Sequence, residues 1–156
     1  MKTYRLEFSQ KVPIDIDEAW DFFSSPLNLS KVTPSSMAFD VTTPNIEHTK
    51  MYPGLIITYK VSPLLGIKLD WVTEITHVRE KEYCIDEQRF GPFAFWNHNH
   101  RFEKIEGGTI IHDLLHYSVG FGPIGRLANA ISVHNKIQEI FDFRFKKVEE
   151  LFGVMK

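Results

Sequence analysis

Residues 93–119, FAFWNHNHRFEKIEGGTIIHDLLHYSV, constrain the fold more than any other stretch. A period-2 pattern runs in from both sides to Gly107-Gly108, and a Gly-Gly pair is a hairpin turn signal. With Glu106 facing Thr109, Phe102 meets Asp113, His100 meets Leu115 and His98 meets Tyr117. Side chains alternate across a strand, so Trp96, His98, His100, Phe102, Ile111, Asp113, Leu115 and Tyr117 share one face. Asn97, Asn99, Arg101, Glu103, His112, Leu114, His116 and Ser118 share the other, which reads as the face toward water. The first face is aromatic and aliphatic, yet it carries two imidazoles, a carboxylate and a phenol. Buried polar groups need partners. Such a mixture fits a cavity wall, where apolar surface surrounds a few convergent polar groups.

The remaining chain supplies more strands and a helix to cover them. Residues 2–12 read as a strand that Pro13 stops. Asp15 is a helix N-cap with Glu18 three positions on, as in a capping box. Trp20, Phe22 and Phe23 follow on an apolar face, and Pro26 starts a second short helix. MAFDVTT, GLIITYKV, IKLDWVTEITHV and YCIDEQRF then lead into the hairpin at turn-bounded intervals, which argues for an antiparallel sheet. The spacing predicts one helix over 123–152. Its apolar stripe runs Ile124, Leu127, Ile131, Phe141, Phe145, Val148 and Phe152, and its continuation through the middle falls on His134 and Gln138. A second row, Ala130, Val133, Ile137 and Ile140, lies alongside. The order strand, two short helices, six strands, long helix gives a single α+β domain over 1–156. A curved antiparallel sheet of about seven strands would wrap the C-terminal helix and leave a space between them.

Charge and cysteine usage narrow the function. Net charge is −2 with no run of like charges, so a nucleic-acid footprint is not expected. A single cysteine, Cys84, leaves no intrachain disulfide and no multi-cysteine metal site. No apolar run approaches the roughly 20 residues of a membrane span. The N-terminus alternates like a strand rather than forming a signal-peptide core. The expectation is a cytoplasmic protein without stable membrane insertion, and its oligomeric state stays open.

Several of these motifs resemble a known family. DEAWDFFSSPLNLSKVTP, the Gly-Pro-Phe-x-x-Trp-x-His-x-His-x-Phe run at 91–102, the Asp113-x-x-x-Tyr117 spacing and the terminal helix resemble the START-like, or SRPBCC, superfamily. Its helix-grip fold is shared with the birch-pollen allergen and the polyketide cyclase-like proteins. The resemblance covers essentially the whole chain and is greatest to bacterial ligand-binding members. It implies a deep apolar cavity between sheet and helix. It does not fix a function, because members bind lipids, hormones and polyketides and some catalyse reactions.

Trp71, Trp96, His98, His100, Asp113, Tyr117, His134 and Gln138 are the candidate ligand-binding residues. The two histidines have three readings. They could be metal ligands with Asp113 or Glu87 as a third. One could be a general acid or base oriented by Asp113 or Asp86. They could be wall residues that hydrogen-bond a ligand's polar end. The third reading is preferred, so no metal, cofactor or catalytic residue is assigned. Arg144 could hold a ligand carboxylate but is read as solvated or salt-bridged. Segments 62–67 and 118–125, with Leu64, Leu65 and Phe121, could form an apolar cavity mouth. The functional expectation is binding of a small hydrophobic or amphipathic molecule, lipid- or polyketide-like, by a non-enzymatic, or at least not demonstrably enzymatic, protein. The alternative is a cyclase, dehydratase or hydrolase using a His–Asp pair in the same cavity.

Overall fold

The computed structural model describes residues 2–62 and 67–155, His48 by its backbone only. Leu64 and Leu65, expected at the cavity mouth, lie outside the described residues. Strand β1 (Tyr4–Val12) is followed by helices α1 (Ile16–Phe23) and α2 (Pro26–Leu29). Strands β2 (Asp40–Val41), β3 (Leu55–Val61), β4 (Leu69–Arg79), β5 (Tyr83–Phe90), β6 (Phe95–Ile105) and β7 (Gly108–Ser118) come next. They form one sheet in the order β1-β7-β6-β5-β4-β3-β2, antiparallel throughout. A long helix closes the chain. It begins as α3 (Gly122–Ala128), widens into a π-turn at Asn129–Val133 and continues as α4 (His134–Phe152).

Local chemistry sets these boundaries. The Asp15 carboxylate accepts from the backbone N–H groups of Asp17 and Glu18, which satisfies two of α1's free donors. Pro26 opens α2, where its missing N–H costs nothing. Trp20, on the inward face of α1, meets Phe102 edge-on at 5.4 Å between ring centroids. That contact belongs to a core cluster with Val12, Ile111 and Val148. The two short helices thus seal one end of the space between sheet and helix. Register irregularities in the β4–β5 pairing, between Val72 and Thr73 and between Ile75 and His77, mark bulges that bend the sheet. The second also restores inward parity to Val78, which packs with the core.

The structure corrects the sequence reading at two points. The hairpin turn is centred on Glu106-Gly107, not Gly107-Gly108, so Ile105 pairs with Gly108, His100 with Asp113, His98 with Leu115 and Trp96 with Tyr117. Gly107 takes the left-handed conformation at φ 77°. Gly108 serves a different need: a Cβ there would collide with the Val12 carbonyl oxygen on β1. The register moves by two residues, so the faces are unchanged.

The second correction concerns the helix. Ile124, Leu127 and Ile131 are 62–75 % exposed rather than inward-facing. Gly125 and Asn129 are buried in their place, with Ile137, Phe141 and Val148 further along. The π-turn holds one extra residue, and one residue of an α-helix is about 100° of rotation. Everything N-terminal to that turn is therefore out of phase with the stripe that follows it.

Candidate functional site

The concave face of the sheet and the long helix enclose a cavity of about 470 Å³. Ile57, Val61 and Ile75 of the sheet, Leu29 and Met37 of the connecting segment, and Ile137 and Ile140 of α4 are among its apolar walls. Trp71 and Trp96 both line it and meet at 5.2 Å and 90°. Phe93 packs on Trp96 at 4.8 Å. Phe121, 85 % exposed, also lines the cavity, so an apolar ring stands at its rim.

Two histidines, two carboxylates and an arginine gather at one corner. Asp86 on β5 pairs directly across from His98 on β6, and His100 pairs across from Asp113 on β7. Three neighbouring strands thus project four titratable side chains inward side by side. His100 Nε2 lies 2.8 Å from Asp86 Oδ2, and His98 Nδ1 lies 3.7 Å from the same oxygen. The other ring nitrogens face Asp113: His98 Nε2 at 2.9 Å and His100 Nδ1 at 2.7 Å from Oδ1. His98 Nε2 and Asp113 Oδ1 are fully buried and have no hydrogen bond of proper alignment. The imidazoles lie 3.9 Å apart between centroids. Arg144 of α4 completes the corner. Its guanidinium sits 3.8 Å from Asp113 Oδ1 and 5.0 Å from the Phe141 ring centre, and its Nε is buried without a hydrogen-bond partner among the described residues.

Burial and pairing set the protonation states. Burial opposes a charge on Asp113, but the two histidines more than offset this and hold its carboxyl well below the usual range. Asp86 is lowered too: against burial stand a hydrogen bond from His100 and the charges of His98, His100 and Arg144. Burial also opposes charge on His100, yet its two carboxylate partners raise it to about 9. His98 goes the other way, lowered by burial and then by the charge on His100. At neutral pH two carboxylates therefore face one imidazolium and one guanidinium, and His98 is neutral. The corner carries no net charge. Burial, then the Asp86 charge, raises the Tyr59 hydroxyl and the Cys84 thiol, so both line the cavity in neutral form.

Of the residues singled out in the sequence, Trp71, Trp96, His98 and His100 lie on the cavity wall. Asp113 lies behind the histidines, its Oδ1 2.9 Å from a ring nitrogen of His98 and 2.7 Å from one of His100. Tyr117 is fully buried between Tyr4, stacked at 5.4 Å, and the helix. Its hydroxyl is 3.3 Å from His134 Nδ1. His134 is otherwise exposed, and Gln138 donates to Asp142 along the helix surface. Neither reaches the cavity, because the inward row passes through Val133, Ile137 and Phe141 instead. Glu87 faces outward, bonded to Arg89 and Asn97. Asp86 lies on the cavity side, its face fixed by the turn at 90–93. Gln88 clamps that turn, donating to the Phe93 carbonyl and accepting from its N–H. Arg144, read as solvated or salt-bridged, is salt-bridged, and its partner is Asp113 at the corner. The signal for it was present: Ile137, Phe141, Arg144 and Val148 follow the i, i+4, i+7, i+11 spacing of one helix face.

The sequence matches no family model and no curated protein. Solved structures do match over nearly the whole chain. Protein Ms6760 from Mycobacterium smegmatis superposes with a TM-score of 0.67 at 17% identity, over 97% of this chain and 96% of that one. Ara h 8.0201 gives 0.62 at 15%, over 96% and 99%. Ginseng major latex-like protein 151 from Panax ginseng gives 0.68 at 12%, over 96% and 97%. Identities this low speak for the fold and not for a ligand. The curved seven-stranded sheet, the two short helices after β1 and the long terminal helix give this chain the helix-grip fold that it shares with these solved structures.

Proposed function

We propose that the protein binds one small amphipathic molecule, lipid- or polyketide-like, with its apolar body between sheet and helix and its polar head at the Asp86–His98–His100–Arg144 corner. The observation that carries this reading is the cavity itself: about 470 Å³ of largely apolar space with Asp86, His98, His100 and Arg144 gathered at one corner. That volume falls in the range of small-molecule sites. Each 100 Å² of apolar ligand surface removed from water contributes about 2.5 kcal/mol before binding costs. The corner adds orientation, because a head group reversed into the aliphatic end would lose its hydrogen bonds.

Trp71 and Trp96 make the test direct. Native mass spectrometry of gently purified protein should show an extra organic mass that solvent extraction removes. Long-chain and polycyclic carboxylic acids and alcohols should change tryptophan fluorescence saturably at one equivalent. A bare protein that responds to none of them would reject the reading. A second reading is kept by one contact, the 2.8 Å hydrogen bond between His100 and Asp86 on the cavity wall, which suits general acid–base chemistry. It predicts that a bound molecule is recovered chemically altered, and that Asp86→Asn slows the conversion without abolishing binding.

A further inference from the structure

We propose that Asp86, His98 and His100 form a site for one divalent transition-metal ion at the polar end of the cavity. One donor atom from each lies within 4.8 Å of the other two. Asp86 Oδ2 is 2.8 Å from His100 Nε2 and 3.7 Å from His98 Nδ1. Donors held about 2.1 Å from a common ion at near-tetrahedral angles lie roughly 3.4 Å apart. The observed separations bracket that value, so small side-chain rotations suffice.

The far sides of the rings strengthen the assignment. A metal-bound imidazole carries its proton on the other nitrogen, which needs an acceptor that fixes ring and tautomer. His98 Nε2 and His100 Nδ1 both face Asp113 Oδ1, at 2.9 and 2.7 Å. Each ring thus has one nitrogen toward Asp86 and the other toward Asp113. One carboxylate stands where a ligand belongs, and the second where both ligands need support. Asp113 is in turn held by Arg144. The donors sit on adjacent strands, β5 and β6, a rigid mount for a coordination site.

Two imidazoles and one carboxylate suit zinc(II) or iron(II) rather than magnesium or calcium, which take oxygen ligands. Asp86, His98 and His100 all line the cavity, so the remaining coordination positions open into it. There a carbonyl or hydroxyl oxygen of the bound molecule would complete the coordination. This last point rests on the proposed binding role. Metal uptake is measured without any organic ligand, so the two proposals fail separately.

The test uses the full chain, stripped with EDTA and freed of chelator. Zinc(II) is titrated in competition with a chromophoric chelator, and cobalt(II) serves as the spectroscopic probe. One equivalent of each should bind, and cobalt should give the intense visible bands of low coordination number. Asp86→Asn should weaken zinc binding at least 100-fold. Asp113→Asn, which removes the charge of the supporting carboxylate, should weaken it about 10–100-fold. The double variant His112→Ala/His116→Ala, on the outer face of the sheet, should bind as the parent does. A parent chain that binds well below one equivalent and gives no cobalt bands overturns the proposal. So does zinc binding that survives Asp86→Asn and is lost in the outer-face double variant. Should Asp86→Asn not fold, cobalt-loaded parent protein decides by NMR. Two paramagnetically shifted, exchangeable imidazole N–H signals are expected, and their absence overturns the site.

Discussion

His98 and His100 occupy nearly the same surroundings and titrate in opposite directions, and this fixes how stability should vary with pH in the metal-free protein. His100 is raised to about 9 in the fold. Its contribution is fully present below the ordinary histidine value of about 6.5 and is lost as pH rises through about 9. His98 is lowered, so the unfolded chain binds more protons below about 6.5 and stability falls as the solution is acidified. Asp86 and Asp113 are lowered as well. Their contribution is present above the unfolded value of about 3.9 and is lost at lower pH. The expected profile, read by urea melts across the pH range, has a maximum near neutrality, a decline toward pH 9 and a steeper one below pH 6. Asp113→Leu should remove much of the alkaline limb. It should also destabilise the chain by about 3–5 kcal/mol at pH 7, because it leaves His100 and Arg144 without a shared partner. The paired histidines were legible in the sequence as members of one inward face. Their partners were legible only in part. Strand parity placed Asp113, but Asp86 depended on the path of the Gly91-Pro92 turn. Arg144 was set aside because a charged side chain on a helix is usually solvated.

The same contrast holds for elements. The Asp15 cap and α1 follow local rules, and Asp15→Ala should cost about 1 kcal/mol with no change in the near-ultraviolet signature of the cavity tryptophans. The start of the terminal helix follows no local rule. A glycine inside a helix ordinarily gains about 0.4–1 kcal/mol when replaced by alanine. Gly125→Ala should do the reverse, because its Cβ would collide with the Gly120 carbonyl oxygen on the incoming loop. A thermal melt gives the sign. Gly122→Ala gives no matching control, since Gly122 sits at φ 56°. The outward turn of Ile124, Leu127 and Ile131 was invisible in the sequence for a stated reason. Hydrophobic periodicity assumes 3.6 residues per turn throughout, and a single π-turn breaks that assumption without any compositional mark. Gln138 and His134 lie beyond the π-turn, and their misplacement has another cause: they flank the row through Val133, Ile137 and Phe141 that faces the cavity, one position away from it.

At the scale of the whole molecule, sheet order matters more than any single contact. β2 through β7 are joined to their neighbours in chain order, so the Asp86, His98, His100 and Asp113 corner is built by hairpins that close locally. β1 is the exception. It pairs with β7, and the Ser9–His112 contact across that pair joins residues 103 positions apart. Contacts of such sequence separation slow folding, since loop closure must precede the pairing that rewards it. Refolding from urea should accordingly show the His98 and His100 amides protected before those of Leu6 and Phe8 in pulsed hydrogen exchange. On a ribosome the asymmetry becomes a matter of timing. Among the described strands, the first to emerge is β1, and its neighbour in the sheet is β7, the last of them to be made. At about 5–20 residues per second, β1 waits several seconds as an unpaired strand with an apolar face, the kind of segment a chaperone would shield until the sheet can be closed.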